Sequence, residues 1–150
     1  MRPRTSALNW LGAAVLLACC LGCGSSDSKG SPSHGDPALV GTWTGTEVDF
    51  ADSGSWTFVL TATTMDVQST DGEGYKGNYT TDASVDPKRI TGTITECPLA
   101  AFVGKSWNGI YKTDGTTTTI ASNIPGDTTF PTDFTPGSTH QTRVLTLTRQ

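Results

Sequence analysis

Between residues 41 and 149, apolar and polar side chains alternate over short segments, and turn-forming residues separate these segments. Trp56, Phe58 and Leu60 fall on one face of such a segment, and Thr57 falls on the other. A period of two residues is the geometry of a β-strand with one buried face. No segment in this range has a convincing helical period. The sequence therefore predicts an all-β fold.

The alternating segments predict about eight strands, joined mostly by short turns. Short turns favour an antiparallel up-and-down arrangement, and closing such a sheet removes its exposed edges. A barrel of about eight strands encloses a space that side chains fill or that holds one small ligand. We therefore expect an up-and-down β-barrel. Asp114-Gly115 predicts a type I′ hairpin turn. The predicted strands are residues 41–50, 55–62, 64–69, 74–81, 89–97, 105–113, 116–122 and 141–149.

The N-terminus has the pattern of an export signal. Arg2 and Arg4 precede an apolar run at residues 10–18, and Cys19 follows that run. Secretory signals combine a basic region, an apolar region of about 7 to 15 residues and a small residue before the cleavage site. A membrane-spanning helix needs about 20 apolar residues, so this run is too short to be one. Residues 1–18 are therefore predicted to be a signal peptide.

The end of this signal, Leu16-Leu17-Ala18-Cys19, resembles the lipobox of bacterial lipoproteins, in which the cysteine is acylated and becomes the new N-terminus. The resemblance implies lipidation at Cys19, with Cys23 as the alternative. A further interpretation is a secretory signal that is cleaved elsewhere in this region without lipidation. Neither cysteine is followed by aspartate. By resemblance to envelope lipoproteins, this favours the outer membrane, on its periplasmic or surface face. We expect a lipid-anchored cell-envelope protein.

Residues 19–37 are rich in Gly, Ser, Pro and Asp and are predicted to form a flexible tether. This tether places the folded domain, residues 38–150, about 25 Å from its lipid on average.

Without Arg2 and Arg4 the chain carries 8 basic and 14 acidic residues, a net charge of −6. This balance argues against nucleic acid as a partner, because phosphate backbones are bound by clustered Lys and Arg.

The sequence shows no combination of residues typical of a catalytic or metal site. Its two histidines, His34 and His140, lie far apart, and neither G-x-S-x-G nor H-E-x-x-H occurs. Glu47 and Asp49 share a face of the first predicted strand, and we interpret that face as solvated rather than as a Ca²⁺ site. We therefore expect no enzyme activity, no cofactor and no metal.

The two ends of the domain resemble those of lipocalin-type barrels. Gly41-Thr42-Trp43 matches the G-x-W of their first strand, and Arg149 lies on the last. The resemblance implies that Gly41, Trp43 and Arg149 close one end through a cation–π contact. More widely, the chain is similar to a family of uncharacterised lipocalin-like domains in exported bacterial proteins, which implies a fold rather than a ligand or reaction. The motifs are L-V-G-T-W at 39–43, G-N-Y at 77–79, D-P-K-R-I at 86–90, G-I-Y at 109–111, Asp114-Gly115, P-G-D at 125–127, Pro131 with Phe134, and L-T-L-T-R at 145–149.

For a barrel of this kind, we expect that the interior binds a small apolar or amphipathic ligand. The alternative is a filled barrel that binds or inhibits an envelope protein. Residues 123–139 form a long segment without evident strands, and loops longer than about 12 to 15 residues are often functional. Its Phe130 and Phe134 either pack on the outside of the barrel or form a lid over its mouth. The predicted pocket residues, chosen by alternation and aromatic size, are Trp56, Phe58, Leu60, Met65, Tyr79, Ile94, Trp107 and Tyr111.

Overall fold

The computed structural model describes residues 34–48 and 54–150, so the predicted signal peptide and the candidate lipidation sites Cys19 and Cys23 lie outside the described residues. No helix in the described part is long and apolar enough to cross a membrane. Short 3₁₀ helices occur at Pro37–Leu39 and Ala100–Phe102. The strands are β1 (Gly41–Glu47), β2 (Ser55–Leu60), β3 (Thr64–Ser69), β4 (Gly74–Asp82), β5 (Lys88–Glu96), β6 (Ser106–Thr113), β7 (Thr117–Ser122) and β8 (Arg143–Arg149).

The eight strands form one closed barrel, in which each strand pairs antiparallel with its neighbours along the chain and β8 pairs with β1. The predicted antiparallel eight-stranded β-barrel is therefore confirmed. In the closing pair, Trp43 lies opposite Arg149 and Glu47 lies opposite Leu145. Each of the eight strands pairs with a neighbour on both sides, and the core clusters lie among residues 34–48 and 54–150.

The hairpin between β6 and β7 occurs where Asp114-Gly115 predicts it, but the turn is not of type I′. That type requires a positive φ at both central residues, and only Gly115 has one, at 90°. The carboxylate of Asp114 instead accepts hydrogen bonds from the backbone N–H groups of Thr116 and Thr117, at 2.8 and 2.7 Å. These bonds and the Thr116 hydroxyl lower the pKa of Asp114 to about 2. An Asx-type turn has replaced the expected one.

Alternation along the strands sends one set of side chains into the barrel and another onto its outer surface. The inner set forms the main core, which includes Leu147 of β8. A smaller cluster lies outside, where Val144 is 1% exposed because it packs with Ile110, Ala121 and Phe134. Both faces of β8 are therefore buried over part of its length, which explains why Val144 is apolar although it points away from the interior.

One end of the barrel is closed by the residues that the sequence assigns to this role. Trp43 is fully buried, its indole N–H donates to the Leu39 carbonyl at 2.7 Å, and the Cζ atom of Arg149 lies 4.2 Å from its ring centroid. Gly41 has a φ of +140°, and a Cβ atom there would lie 2.5 Å from Nη1 of Arg149. Glycine is thus required for the guanidinium to cross this end. Arg149 also donates to the carbonyls of Ala38, Val40 and Gly115.

Residues 34–37, which the sequence assigns to the tether, contact this closed end. The Gly35 N–H donates to the Ala62 carbonyl at 2.7 Å. The Asp36 carboxylate accepts from the Tyr111 hydroxyl at 2.9 Å and from Nζ of Lys88 at 3.0 Å. Asp36 also caps the first 3₁₀ helix. Polar side-chain contacts therefore order a segment whose low apolar content predicts flexibility.

Candidate functional site

A cavity of about 790 Å³ lies inside the barrel between the closed end and a mouth at the opposite end. Ligand pockets in proteins commonly measure about 300 to 1,000 Å³. Aliphatic and aromatic side chains from β2 to β8 form most of the wall. Residues of the β3–β4 turn, the β5–β6 connection and the β7–β8 connection border the mouth. The barrel thus offers an apolar interior that can be reached from one side.

Seven of the eight predicted pocket residues line this cavity; the exception is Tyr111. Tyr111 is buried near the closed end, where its hydroxyl donates to Asp36. Burial, together with this hydrogen bond, raises the pKa of Tyr111 above its usual range. Alternation correctly indicates that Tyr111 points inward, but it does not give the depth at which a side chain lies. The seven lining residues are Trp56, Phe58, Leu60, Met65, Tyr79, Ile94 and Trp107.

Two aromatic residues of the wall are positioned by close contacts with glycine or backbone. Trp107 of β6 lies opposite Gly92 of β5, and a Cβ atom on Gly92 would clash with the indole ring. The missing side chain therefore lets the indole lie flat against β5. The Tyr79 hydroxyl donates to the Thr61 carbonyl at 2.6 Å. Burial raises the pKa of Tyr79, so its hydroxyl remains neutral and bound to that carbonyl.

A charged cluster borders the cavity near its mouth. Nε of Arg143 donates to Oε1 of Glu47 at 2.9 Å, and Nη1 of Arg143 lies 3.4 Å from Oε2 of Glu73. Burial alone would lower the pKa of Arg143, but the hydrogen bond and the charge of Glu47 raise it above its usual value. The guanidinium therefore stays charged. With two carboxylates around one guanidinium, the cluster is net negative.

The same guanidinium covers an aromatic stack on the cavity wall. The Cζ atom of Arg143 lies 5.4 Å from the ring centroid of Trp56, and the rings of Trp56 and Tyr75 stack at 6.3 Å with 20° between their planes. Cation–π contacts of this kind favour a fixed orientation of the aromatic ring. The Trp56 indole is thus held by its contacts with Arg143 and Tyr75.

The interpretation of Glu47 as part of a solvated strand face is wrong, because its side chain is only 2% exposed. Its charge is compensated by Arg143, which lies 96 residues further along the chain. A signal for this position was present in the sequence: Glu47 lies four residues after Trp43 in one strand, and therefore on the same inward face. Asp49, its partner in that interpretation, lies outside the described residues.

The two phenylalanines of the β7–β8 connection lie on the outside of the barrel and do not line the cavity. Phe134 packs on the outer apolar cluster, with Nζ of Lys112 4.9 Å from its ring centroid. The Phe130 ring lies 4.6 Å from Cζ of Arg89. Of the two readings of this segment, the structure has the connector rather than a phenylalanine lid. Pro125 and Pro136, rather than the aromatic residues, reach the mouth.

Polar bonds within the β7–β8 connection hold it in place beside the mouth. Asn123, 3% exposed, donates to the Thr129 carbonyl at 3.2 Å and accepts from the Thr142 hydroxyl at 2.7 Å. Nδ1 of His140 lies 2.7 Å from Oδ2 of Asp127. Hydrogen bonds from Thr129 and then from His140 lower the pKa of Asp127 to about 2. The rim of the cavity is therefore fixed by its own side chains.

Within residues 34–48 and 54–150, no group of three or more His, Cys, Asp and Glu side chains is placed to hold a metal ion. Comparison of the chain with protein-family models, with curated proteins and with solved structures gives no match. The function must therefore be inferred from the geometry of the cavity and of the charged cluster at its mouth.

Proposed function

We propose that this protein is a lipid-anchored envelope protein whose lipocalin-like barrel binds a small apolar or amphipathic molecule. The observation that carries the proposal is the cavity of about 790 Å³ inside a barrel that is closed at one end. The alternative, an envelope interaction or inhibitor module without a ligand, predicts an interior filled by side chains. The size of the cavity and its apolar wall favour the ligand-binding class.

The apolar wall supplies the driving force for such binding. Removing apolar surface from water is worth about 25 cal/mol per Å², so a molecule that buries about 300 Å² gains about 7 kcal/mol. Immobilising the ligand offsets part of this gain. Dissociation constants of about 10 μM or weaker are therefore expected for simple apolar molecules.

The anchor is proposed from the sequence alone. A basic segment, an apolar run and a small residue before Cys19 are the features that support export and lipidation. The intact mass of the mature protein tests this part of the proposal. A fatty-acylated N-terminus that is lost in Cys19→Ser and kept in Cys23→Ser is the expected result, and an unmodified terminus downstream of Cys23 would contradict it.

Ligand binding is tested by titration with N-phenyl-1-naphthylamine, a neutral dye whose fluorescence rises when it leaves water. The chain from residue 24 onward, which contains the whole barrel, is expected to bind this dye saturably. Val67 lines the cavity and is 6% exposed. A Val67→Trp substitution fills part of the space and should weaken dye binding about tenfold or more, which corresponds to about 1.4 kcal/mol.

Val59→Trp is the matched control, because Val59 on the neighbouring strand is 45% exposed on the outer face. This variant should bind the dye as the unsubstituted chain does. The absence of saturable binding, or an equal loss in the two variants, would contradict binding within the barrel. Circular dichroism of each variant checks that the barrel is retained.

A further inference from the structure

An apolar run lies exposed at the mouth of the cavity. Residues 98–103, in the β5–β6 connection, read Pro-Leu-Ala-Ala-Phe-Val, and no charged residue occurs between Glu96 and Lys105. Five of the six are exposed, Leu99 by 57% and Val103 by 46%, and the sixth is half-buried. Exposed runs of about three or four apolar residues are unfavourable in a folded domain unless they serve a function. We call residues 98–103 the apolar rim.

The apolar rim is continuous with the interior of the barrel. Leu99 and Phe102 line the cavity, although Leu99 is also one of the most exposed apolar side chains of the described residues. Phe102 packs against the main core. The rim therefore joins the outer surface of the mouth to the apolar wall of the cavity. Exposed apolar surface in such a position marks a site of interaction.

The backbone of the apolar rim is hydrogen-bonded within the protein. The N–H groups of four consecutive residues, 102 to 105, donate to backbone carbonyls at 2.8 to 3.2 Å. The Leu99 carbonyl also accepts from the Cys97 thiol at 2.9 Å. In contact with lipid, backbone groups must be paired internally, because hydrocarbon offers them no partner. These pairings therefore suit the rim to contact with an apolar phase.

The size and charge of the apolar rim favour a lipid bilayer over a protein as its partner. A stable protein interface takes about 20 to 30 residues on each side, far more than the six residues of the rim. The flanking charges of Glu96 and Lys105 have opposite signs, so they do not select a partner of one charge. A bilayer needs no such area, since a few apolar side chains can enter the boundary between headgroups and acyl chains.

The position of the predicted anchor permits this contact. Cys19 and His34 are 15 residues apart in the sequence, and a chain of that length spans at most about 50 Å. The longest strands have nine residues, so the barrel measures about 30 Å or less along a strand. The residues between the predicted lipid and the closed end are therefore long enough for the mouth to face the membrane that holds Cys19.

We propose that the apolar rim docks the mouth of the barrel on a lipid bilayer, with Leu99 and Val103 inserted at the boundary of headgroups and acyl chains. This inference goes beyond the proposed function, because the contact needs no bound ligand. Docking places the mouth against the bilayer, so that an apolar molecule passes between the two without crossing water.

Insertion is measured with one added tryptophan and with phosphatidylcholine brominated on its acyl chains, which quenches an indole that reaches the bromine atoms. The full chain, expressed in its own host, is reconstituted into vesicles of this lipid and of its unbrominated form. In Val103→Trp, the added indole should lose about half or more of its emission in the brominated vesicles, because inserted side chains lie about 5–10 Å deep. The unsubstituted chain supplies the background from Trp43, Trp56 and Trp107.

Val59→Trp is the matched control, because Val59 on the outer face of β2 is 45% exposed, against 46% for Val103. Its added indole should keep nearly all of its emission. Leu99→Asp combined with Val103→Trp places a charge in the rim. Because a charge is costly to remove from water, quenching in this double variant should fall to the level of Val59→Trp. If the double variant does not fold, as circular dichroism will show, the two tryptophan variants alone decide.

Absence of quenching in both tryptophan variants would overturn the inference and favour a protein partner for the rim. Equal quenching in both would also overturn it, because contact with the bilayer would then not be confined to the mouth. In either case saturable dye binding would still support the proposed function. Absence of dye binding, with Val103→Trp quenched as expected, would instead overturn the proposed function and leave the docking supported.

Discussion

Asp36 shows how a single side chain can determine where the folded domain begins. Its carboxylate accepts hydrogen bonds from the Ala38 N–H, the Lys88 ammonium and the Tyr111 hydroxyl, at 2.9, 3.0 and 2.9 Å. Burial raises the pKa of Asp36, but these three donors outweigh burial and the net shift is downward. The ionised form is therefore the one that stabilises the closed end of the barrel.

The lowered pKa of Asp36 predicts a pH-dependent contribution to stability. A carboxyl group whose pKa is lower in the folded state stabilises the fold above its unfolded pKa, near 3.8, and this contribution is lost as pH falls through the folded value. Asp36→Asn should therefore lower the free energy of unfolding by about 1–3 kcal/mol at pH 7 and by less at pH 3. Urea unfolding at the two pH values measures this difference.

Asp66→Asn is the control for the acid dependence, because Asp66 bonds with Gln68 on the exposed surface. It should leave the stability at both pH values nearly unchanged. Asp114 and Asp127 each have a pKa of about 2. Their contributions to the free energy of unfolding therefore also decrease as pH falls, and they do so in every variant. An equal destabilisation by Asp36→Asn at pH 7 and pH 3 would contradict the assigned role of the carboxylate.

At the scale of single residues, the sequence predicts well whether a side chain points into or out of the barrel. It predicts less well whether a polar side chain is buried and how deep in the interior a side chain lies. The contact between Trp43 and Arg149 could be predicted from the sequence. The alternation along the two strands and the resemblance to the ends of lipocalin-type barrels place these residues together. The period of two places Glu47 on the same inward face as Trp43, but the burial of its charge depends on a partner 96 residues away in β8. Tyr111 points inward as expected, but a hydrogen bond to Asp36 holds it below the cavity.

At the scale of elements, the strands were predictable because each carries its own alternation and its own turn residues. The connections were less so. The Asp114 turn takes a different form because its carboxylate bonds the following backbone. In the β7–β8 connection, the position of Phe134 depends on the outer cluster around Val144. Long-range packing of this kind leaves no periodic trace within the segment itself.

Because Phe134 lies on the outside of the barrel, its substitution is expected to change the stability of the protein but not its affinity for a ligand. Phe134→Ala removes a half-buried ring from the outer cluster and should lower the free energy of unfolding by about 1–3 kcal/mol, less than the cost for a fully buried phenylalanine. Affinity for N-phenyl-1-naphthylamine should stay within about twofold, because the ring does not line the cavity.

Phe102→Ala makes the same chemical change on the cavity wall. It should weaken dye binding clearly more than Phe134→Ala does, by about 3- to 10-fold, because it removes apolar contact area from the site. Thermal unfolding and dye titration of both variants provide the comparison. A loss of dye affinity in Phe134→Ala that matches the loss in Phe102→Ala would support a lid and contradict the connector.

At the scale of the whole molecule, the barrel has two unlike ends. The closed end combines a buried indole, a guanidinium and residues 34–37, which contact it. The mouth lies at the opposite end, with the charged cluster around Arg143 beside it. The mouth is therefore at the opposite end of the barrel from residues 34–37.

The proposed function requires an interior that holds a small molecule, and native mass spectrometry of the full chain from its own host tests this most directly. We expect a non-covalently bound small molecule that adds to the mass of the mature protein, is released on denaturation and is absent from Val67→Trp. A spectrum that shows the mature protein alone, under conditions in which added N-phenyl-1-naphthylamine stays bound, would contradict the account.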